Sequence, residues 1–398
     1  MRPHAGTGRI VFGQKELMGV YRDDLTPASR RQKLGARSVR YIRSLDAVPE
    51  LTPEERAALH DVAERFAFRT NDYYLGLIDW DDPDDPIRRL VIPHRDELHD
   101  WGALDASNEA SNTRLPGLQH KYGDTALLLA IDACGGYCRY CFRKRLFMHE
   151  NAEVSRDIGP GLEYIRAHPE ISNVLVTGGD PLLLSTARIE RLLGELADIP
   201  HVRMIRLGTK MLAFNPYRVL EDERLQHVIE RFSGPGQRIY FMLHFDHPRE
   251  ITHPAREAIR LLRSLGAVCV NQCPIIAGVN DDPIVLAELF QLCTNVGCPQ
   301  YYVFQGRPTA GNEPYEVPIV RGWTVFSHAR RGLSGLSRRA RFVMSHATGK
   351  IEIVGVDDER IYLRYHRAKD PADEDRVIVC RRDDDAYWLD QLEPIERA

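Results

Sequence analysis

What the sequence has little of narrows the field first. No stretch of its 398 residues approaches the ~20 consecutive apolar positions needed to cross a bilayer, so no membrane-spanning role is expected. Neither sign of charge dominates. Lys and Arg number 53 against 57 Asp and Glu, a formal net charge of −4, without the broad basic field that draws nucleic acid. The opening Met1-Arg2-Pro3-His4-Ala5-Gly6-Thr7-Gly8 lacks the apolar run of a secretory signal. Eight cysteines in so long a chain are too few for a disulfide scaffold. A cytoplasmic protein in a reducing environment is the expectation. What is present suits a globular enzyme: 43% hydrophobic and 28% charged residues, on a length with room for about two or three domains.

The few cysteines are unevenly distributed. Cys134, Cys138 and Cys141 fall within eight residues, spaced C-x3-C-x2-C, and no fourth lies nearby. Thiolates hold iron–sulfur clusters, and a four-iron cluster normally takes four of them. Three ligands leave one iron open, as a catalytic zinc keeps one position free for substrate. An open iron can bind a small molecule and pass it an electron. Two plainer readings stand beside this one: half of a structural zinc site completed elsewhere, or three unrelated buried thiols. The density of the spacing favours the open cluster.

Along the chain, residues 1–40 are polar, basic and without period, and read as a loosely ordered arm. Residues 41–119 read as a helical N-terminal region. Thr52-Pro53-Glu54-Glu55 opens a helix there, with a capping hydroxyl, a first-turn proline and acids that complement the dipole, and helical spacing continues over 57–68. A turn-rich acidic bend follows at 79–86, then a connector rich in Asn, Ser and Pro at 106–118. Residues 120–340 alternate apolar runs suited to buried parallel strands (126–131, 173–176, 202–207, 239–244, 268–271 and 301–305) with helical stretches such as 187–197, 255–265 and 283–296. Six strand–helix repeats argue for an α/β fold, a partial (βα)6 TIM-type barrel; an open doubly wound sheet shares the alternation and is the alternative. Residues 341–382, beginning with an apolar run at 341–344, read as a small C-terminal β segment, and 383–398 as a charged tail. In such barrels chemistry sits at the C-terminal ends of the strands. Residues 178–180, 208–210, 244–247, 271–272, 305–307 and 345–350 should therefore face the cysteines.

Gly178-Gly179-Asp180-Pro181 follows the second strand. Glycines let backbone approach a ligand closely, and an aspartate can hold a cationic amine. Combined with the C-x3-C-x2-C after the first strand, the motif resembles the radical S-adenosylmethionine (SAM) superfamily. That resemblance implies a [4Fe-4S] cluster on Cys134, Cys138 and Cys141, with SAM chelated to the open iron. Gly178, Gly179, Asp180, Tyr140 and Gln272 would stand at the SAM site, and electron transfer would split the sulfonium to a 5′-deoxyadenosyl radical. A narrower resemblance is carried by Tyr140-Cys141-Phe142-Arg143-Lys144-Arg145, Gly117-Leu118-Gln119-His120-Lys121-Tyr122, Tyr73-Tyr74-Leu75-Gly76, Asp85-Pro86-Ile87-Arg88, His247-Pro248-Arg249-Glu250, Asn271-Gln272 and Gly278-Val279-Asn280-Asp281. Over about residues 50–350 the chain is similar to the lysine 2,3-aminomutase family. This implies pyridoxal 5′-phosphate (PLP) on Lys350, Lys121 near its phosphate, Arg143 on the substrate carboxylate, and migration of an α-amino group to the β-carbon. An unactivated C–H bond yields only to a strong radical, while PLP lets nitrogen migrate, so the protein has to position both. A second family arginine near the phosphate is replaced here by Thr125. On the residues alone, Gly349-Lys350 also reads as a solvated turn, and Arg143 as the start of a surface basic triplet with Lys144 and Arg145.

Departures from the family bear on the substrate. Lysine-specific members set two aspartates against the distal ammonium; here those positions are Arg307 and Ser345. A cationic side chain facing Arg307 would meet like charge, so an acidic (glutamate-like) or neutral polar amino acid is expected, and not lysine. The plainer alternative has Arg307 turned outward or paired with Glu313 or Glu316. Asp282 stands at a family zinc cysteine and the C-terminal residues hold only Cys380, so no zinc is expected. Cys269, Cys273, Cys293 and Cys298 read as core thiols, and His244 and His247 as active-site wall or as structural histidines. The expected activity is that of an isomerase moving the amino group of a free amino acid, fed electrons by a flavodoxin or ferredoxin. No nucleic-acid partner is expected, and a homo-oligomer is open. The alternatives are another radical reaction (deamination, epimerisation or dehydrogenation), modification of lysine or a protein lysine, and a non-enzymatic iron–sulfur scaffold or sensor.

Overall fold

The computed structural model describes residues 38–148, 153–234 and 238–395. All but the last three residues of the expected N-terminal arm lie outside them.

A small antiparallel ribbon, β1 (Tyr41–Ile42) with β2 (Thr70–Asn71), accompanies helix α1 (Pro53–Arg65) in the N-terminal part. Thr52 and Glu55 cap α1 reciprocally, as the sequence suggests, but the helix stops at Arg65, where Phe66 turns extended. The main sheet has twelve strands whose spatial order follows the chain. They are β3 (Thr113–Leu115), β4 (Leu118–Tyr122), β5 (Thr125–Ile131), β6 (Asn173–Gly178), β7 (Met204–Thr209) and β8 (Arg238–Leu243), continuing with β9 (Val268–Pro274), β10 (Gln300–Phe304), β11 (Arg341–His346), β12 (Gly349–Val356), β13 (Arg360–Ala368) and β14 (Val377–Arg381). Strands β5 to β11 are parallel; the strands flanking them on both sides are antiparallel. Six helices follow β5 to β10 in turn: α2 (Gly159–Ala167), α3 (Thr186–Ala197), α4 (Glu223–Arg231), α5 (His253–Ser264), α6 (Pro283–Val296) and α7 (Ile319–Arg331). A doubly wound sheet reverses its strand order at a switch point. This one never does. It is the wall of a partial barrel, open because β3 and β14 end the sheet unpaired with each other, and β11 adds a seventh parallel strand to the six βα units.

The local chemistry explains the regularity. On α3 the buried residues Ile189, Leu192, Leu193 and Leu196 recur at helical spacing and face the sheet. Asp282 caps α6 ahead of Pro283, and Gly297 stops it in the left-handed region at φ 84°. Cys269, Cys273, Cys293, Cys298 and Cys380 are all buried.

Two boundaries differ from expectation. The helical region read as 41–119 ends early, because Thr113–Leu115 and Leu118–Tyr122 already belong to the main sheet, turning at Gly117 with φ 80°. Their residues are too polar and the strands too short to show a period. The segment from Asp383 is no free tail through residue 395. Ala386, Trp388 and Leu392 are at most 6% exposed, the Ala386 carbonyl accepts from the Ile319 amide, and Ile395 donates to Val379. The acidic run Asp383-Asp384-Asp385 conceals three apolar anchors just beyond it. Among the described residues no helix is long and apolar enough to cross a membrane.

Candidate active site

The C-terminal ends of the parallel strands surround a cavity of about 380 Å³, a size that takes small molecules. Cys134, Cys138, Cys141, Tyr140, Arg143, Lys121, Gly178, Gly179, Asp180, Gln272, Arg307, Ser345 and Lys350 all line it, so the candidate ligand, cofactor and substrate residues arrive in one place. Of the two histidines, His244 lines the cavity, whereas His247 caps a short turn by accepting from the Arg249 amide.

Around the cysteines, charges are paired. Arg139, 2% exposed, meets Glu97 at 2.6 Å, and Lys144 lies 3.6 Å from the same carboxylate. Lys210 sits 2.6 Å from Asp246 and 2.5 Å from Glu250. Asp246 also accepts from the Tyr140 hydroxyl and lies 3.2 Å from the His244 imidazole. Burial pushes all three thiols up, Cys138 to about 12, and a metal-binding cysteine has to lose that proton.

The Gly-Gly-Asp turn lines the cavity, and its glycines also let the backbone approach the chain itself. Gly178 has φ 101°, and a Cβ there would stand 2.5 Å from the Ile131 carbonyl oxygen; on Gly179 it would stand 2.2 Å from that of Ala133. The turn thereby presses against the lead-in to Cys134, with Gly179 donating to Ile131 and Asp180 to Ala133. The Asp180 carboxylate accepts from the Thr209 hydroxyl and from the Leu182 and Lys210 amides. Burial lifts its carboxyl to about 6 against those bonds. The motif ties the ends of β5, β6 and β7 into one wall.

The opposite side of the cavity is basic. The Lys350 amine lies 4.5 Å from the centre of the Tyr302 ring and 4.8 Å from that of Phe304. Burial, and then the charges of Arg307, Arg206 and Lys121, bring it down to about 7. A lysine so placed is a neutral nucleophile near neutral pH. Gly349 is needed beside it, because a Cβ would come within 2.5 Å of the Arg367 carbonyl oxygen. Lys121 donates to the His346 carbonyl at 2.5 Å, and burial followed by Arg307 and Lys369 lowers it to about 8.

Arg143 donates to Glu109 at 3.1 Å and to the Thr177 hydroxyl at 3.2 Å, so it is no surface arginine. Arg307 neither turns outward nor pairs with Glu313 or Glu316. It lies 3.2 Å from Glu109 and 3.7 Å from the centre of the Phe142 ring. Glu313 pairs instead with His99 at 2.7 Å.

Three cavity residues escape the sequence reading. Glu109 sits in the polar connector and collects Arg143, Arg145 and Arg307. Burial alone would raise its carboxyl, but the three guanidinium groups hold it well below the usual range. Arg206, on β7, lines the cavity with its Nε buried and unpartnered. Arg367, on β13, lines it from the C-terminal segment. Nothing in their neighbours' spacing marks them; only the register of distant strands does.

The donor sets fit the groups that the motifs imply. Among the described residues no three His, Cys, Asp or Glu side chains converge tightly enough for a single metal ion. In a four-iron cluster each thiolate takes its own iron, so the three cysteines need not share one ion. At the basic side, a desolvated amine beside Arg307, Arg206 and Lys121 suits an aldehyde that carries a phosphate.

A profile of the radical SAM superfamily matches residues 128–290. A provisionally named L-lysine 2,3-aminomutase of Aquifex aeolicus (strain VF5) is 53% identical over 355 residues, covering 89% of this chain and 95% of that one. The L-lysine 2,3-aminomutase of Acetoanaerobium sticklandii is 33% identical, covering 72% of this chain and 68% of that one. The glutamate 2,3-aminomutase of Clostridioides difficile (strain 630) is 31% identical, covering 74% and 69%. With three cavity-lining cysteines at the end of the first barrel strand and this degree of likeness, the chain belongs to the lysine 2,3-aminomutase family of radical SAM proteins, as a divergent member.

Proposed function

We propose that the protein is a PLP-dependent 2,3-aminomutase, an isomerase that moves the α-amino group of a free, acidic, glutamate-like amino acid to its β-carbon. The observation that carries this reading is the convergence of Arg143 and Arg307 on Glu109 in the cavity that also holds Lys350 and the three cysteines. A cluster with SAM supplies a radical able to take an unactivated hydrogen, and PLP supplies the electron sink that lets nitrogen migrate. Cys134, Cys138 and Cys141 would hold the first, with electrons from a flavodoxin- or ferredoxin-like donor, and Lys350 the second.

The protein's own part is binding and orientation. Arg143 offers a bidentate fork to the α-carboxylate. Arg307, flat against Phe142, offers a second fork to a side-chain carboxylate, with Ser345 beside Lys350 as a neutral donor. Glu109 holds both forks in place before substrate arrives. An ammonium side chain would instead face Arg307, Arg206 and Lys121 in a site screened from water, a costly arrangement. A relative named for glutamate adds weight to the same reading.

The test is anaerobic incubation of the reconstituted protein with SAM, PLP, reductant and, separately, glutamate, aspartate, glutamine and lysine, with β-amino acids measured by mass spectrometry. Glutamate should be converted fastest. Conversion of lysine in preference to glutamate would overturn the substrate assignment, and absence of any β-amino acid the reaction type.

A further inference from the structure

The antiparallel C-terminal strands place Ser345, Lys350 and Arg367 as successive register partners across β11, β12 and β13. All three line the cavity. Directly opposed residues on antiparallel strands keep their side chains on one face, with Cβ atoms about 4.5–5.5 Å apart. The Arg367 guanidinium lies 4.6 Å from the centre of the Tyr122 ring, and the Lys121 amine lies 5.4 Å from that same centre. Arg367 also reaches the Thr125 hydroxyl at 3.4 Å. Two cations thus lie against one half-buried aromatic ring, and one of them reaches Thr125. Asp124 is the only carboxylate paired with Arg367 among the described residues, and it is half exposed.

We propose that Arg367 and Lys121, both against the Tyr122 ring, form the cradle for the phosphate of PLP, with Arg367 supplying its charge from the C-terminal hairpin. The ligand chemistry is a phosphate monoester dianion. The aldehyde carbon and the phosphate-bearing arm of PLP sit on adjacent ring positions, which matches a lysine and an arginine that are cross-strand neighbours. The inference rests on the PLP reading above, and extends it to which residues of this chain choose the phosphorylated form of the ligand. The hairpin then holds the cofactor at two points, and β4 contributes Lys121.

The experiment is equilibrium titration of the full-length, cluster-reconstituted protein with PLP and, in parallel, with pyridoxal, which has the aldehyde but no phosphate, followed by absorbance and by quenching of intrinsic fluorescence. Arg367→Gln should weaken PLP about 10- to 100-fold while changing pyridoxal less than about twofold, as expected for loss of a charge-assisted contact. Arg367→Lys should recover part of the loss. Asp124→Asn, which removes the partner carboxylate, should leave PLP binding unchanged or tighter. A purely structural Arg367–Asp124 tie predicts the opposite, equal losses in the two variants. Thermal unfolding of each variant shows whether the fold is retained. Equal weakening of PLP and pyridoxal, PLP affinity within twofold of wild type in Arg367→Gln, or a matching loss in Asp124→Asn each overturns the cradle and leaves the PLP reading standing. A wild-type protein that binds neither ligand overturns both.

Discussion

The two sides of the cavity are built on opposite electrostatic plans. Around the cysteines, Arg139, Lys144 and Lys210 each meet a buried carboxylate, the tyrosine beside them donates to Asp246, and the histidine lies 3.2 Å from that same carboxylate. On the other side, Lys121, Arg206, Arg307, Lys350 and Arg367 line the wall, while Glu109 is already shared among three arginines. Paired charges fix a wall in one geometry. An excess of cations over buried carboxylates leaves a site that gains most when an anion enters. The protein is finished where it holds an inorganic group and deliberately incomplete where it receives organic anions.

The sharpest break of that contrast is at Lys350. Lys350→Ala should abolish PLP retention and lower turnover by about 10³-fold or more, leaving the iron and sulfide content unchanged. Protein-bound PLP and iron assays check both halves of the expectation. Breaking the paired side instead should cost stability. Lys210→Ala leaves Asp246 and Glu250, both fully buried, without their cation, and should destabilise the fold by about 3–5 kcal/mol in denaturant titration.

Arg307→Gln separates the substrate role from the general charge. It should reduce kcat/KM for glutamate about 10- to 100-fold and leave that for glutamine nearly unchanged. Equal effects on both would mean that Arg307 does not read the side chain.

The pH profile gives a smaller effect. Lys350 titrates near 7, and is the neutral nucleophile above that value and an ammonium below it. The rate of PLP uptake should therefore fall about tenfold between the plateau and one unit below the lysine's pKa. The groups facing it are Arg307, Arg206 and Lys121, and Lys121 begins to lose its own charge near 8. A profile with its midpoint near 10 would show that the basic side is far better solvated than its geometry implies. Smallest of all, inorganic phosphate at about ten times its Kd should raise Tm by roughly 1–2 °C, and chloride at equal ionic strength should not.

Much of this was open to reading in the sequence, for a physical reason. Parallel strands covered on both faces must be continuously apolar, so β5 to β10 stand out as runs, and the residues just after each run lie at the mouth of the barrel. Glu109, Arg206 and Arg367 are hidden. Glu109 and Arg367 sit among polar or alternating neighbours and acquire their roles only through partners more than thirty residues away, Arg143 for Glu109 and Thr125 for Arg367, while Arg206 is a single charge inside one of the apolar runs. Trp388 is similar: three aspartates precede it, and only the fold reveals the core it enters. The Gly178-Gly179 pair is legible as a requirement for closeness, but the sequence cannot say that the close neighbour is the chain itself.

The row formed by Ser345, Lys350 and Arg367 has one last consequence, for how this segment can evolve. Side chains in a strand alternate between faces, so shifting β12 or β13 by one residue would turn Lys350 or Arg367 away from the cavity. The pairing already carries register shifts at Lys350/Ile351 and Ile353/Gly355, so a further insertion or deletion within either strand keeps the row only where another bulge takes it up, whereas one in the loop between them would be absorbed. Drift in loop length and constancy of strand length is the pattern this geometry imposes.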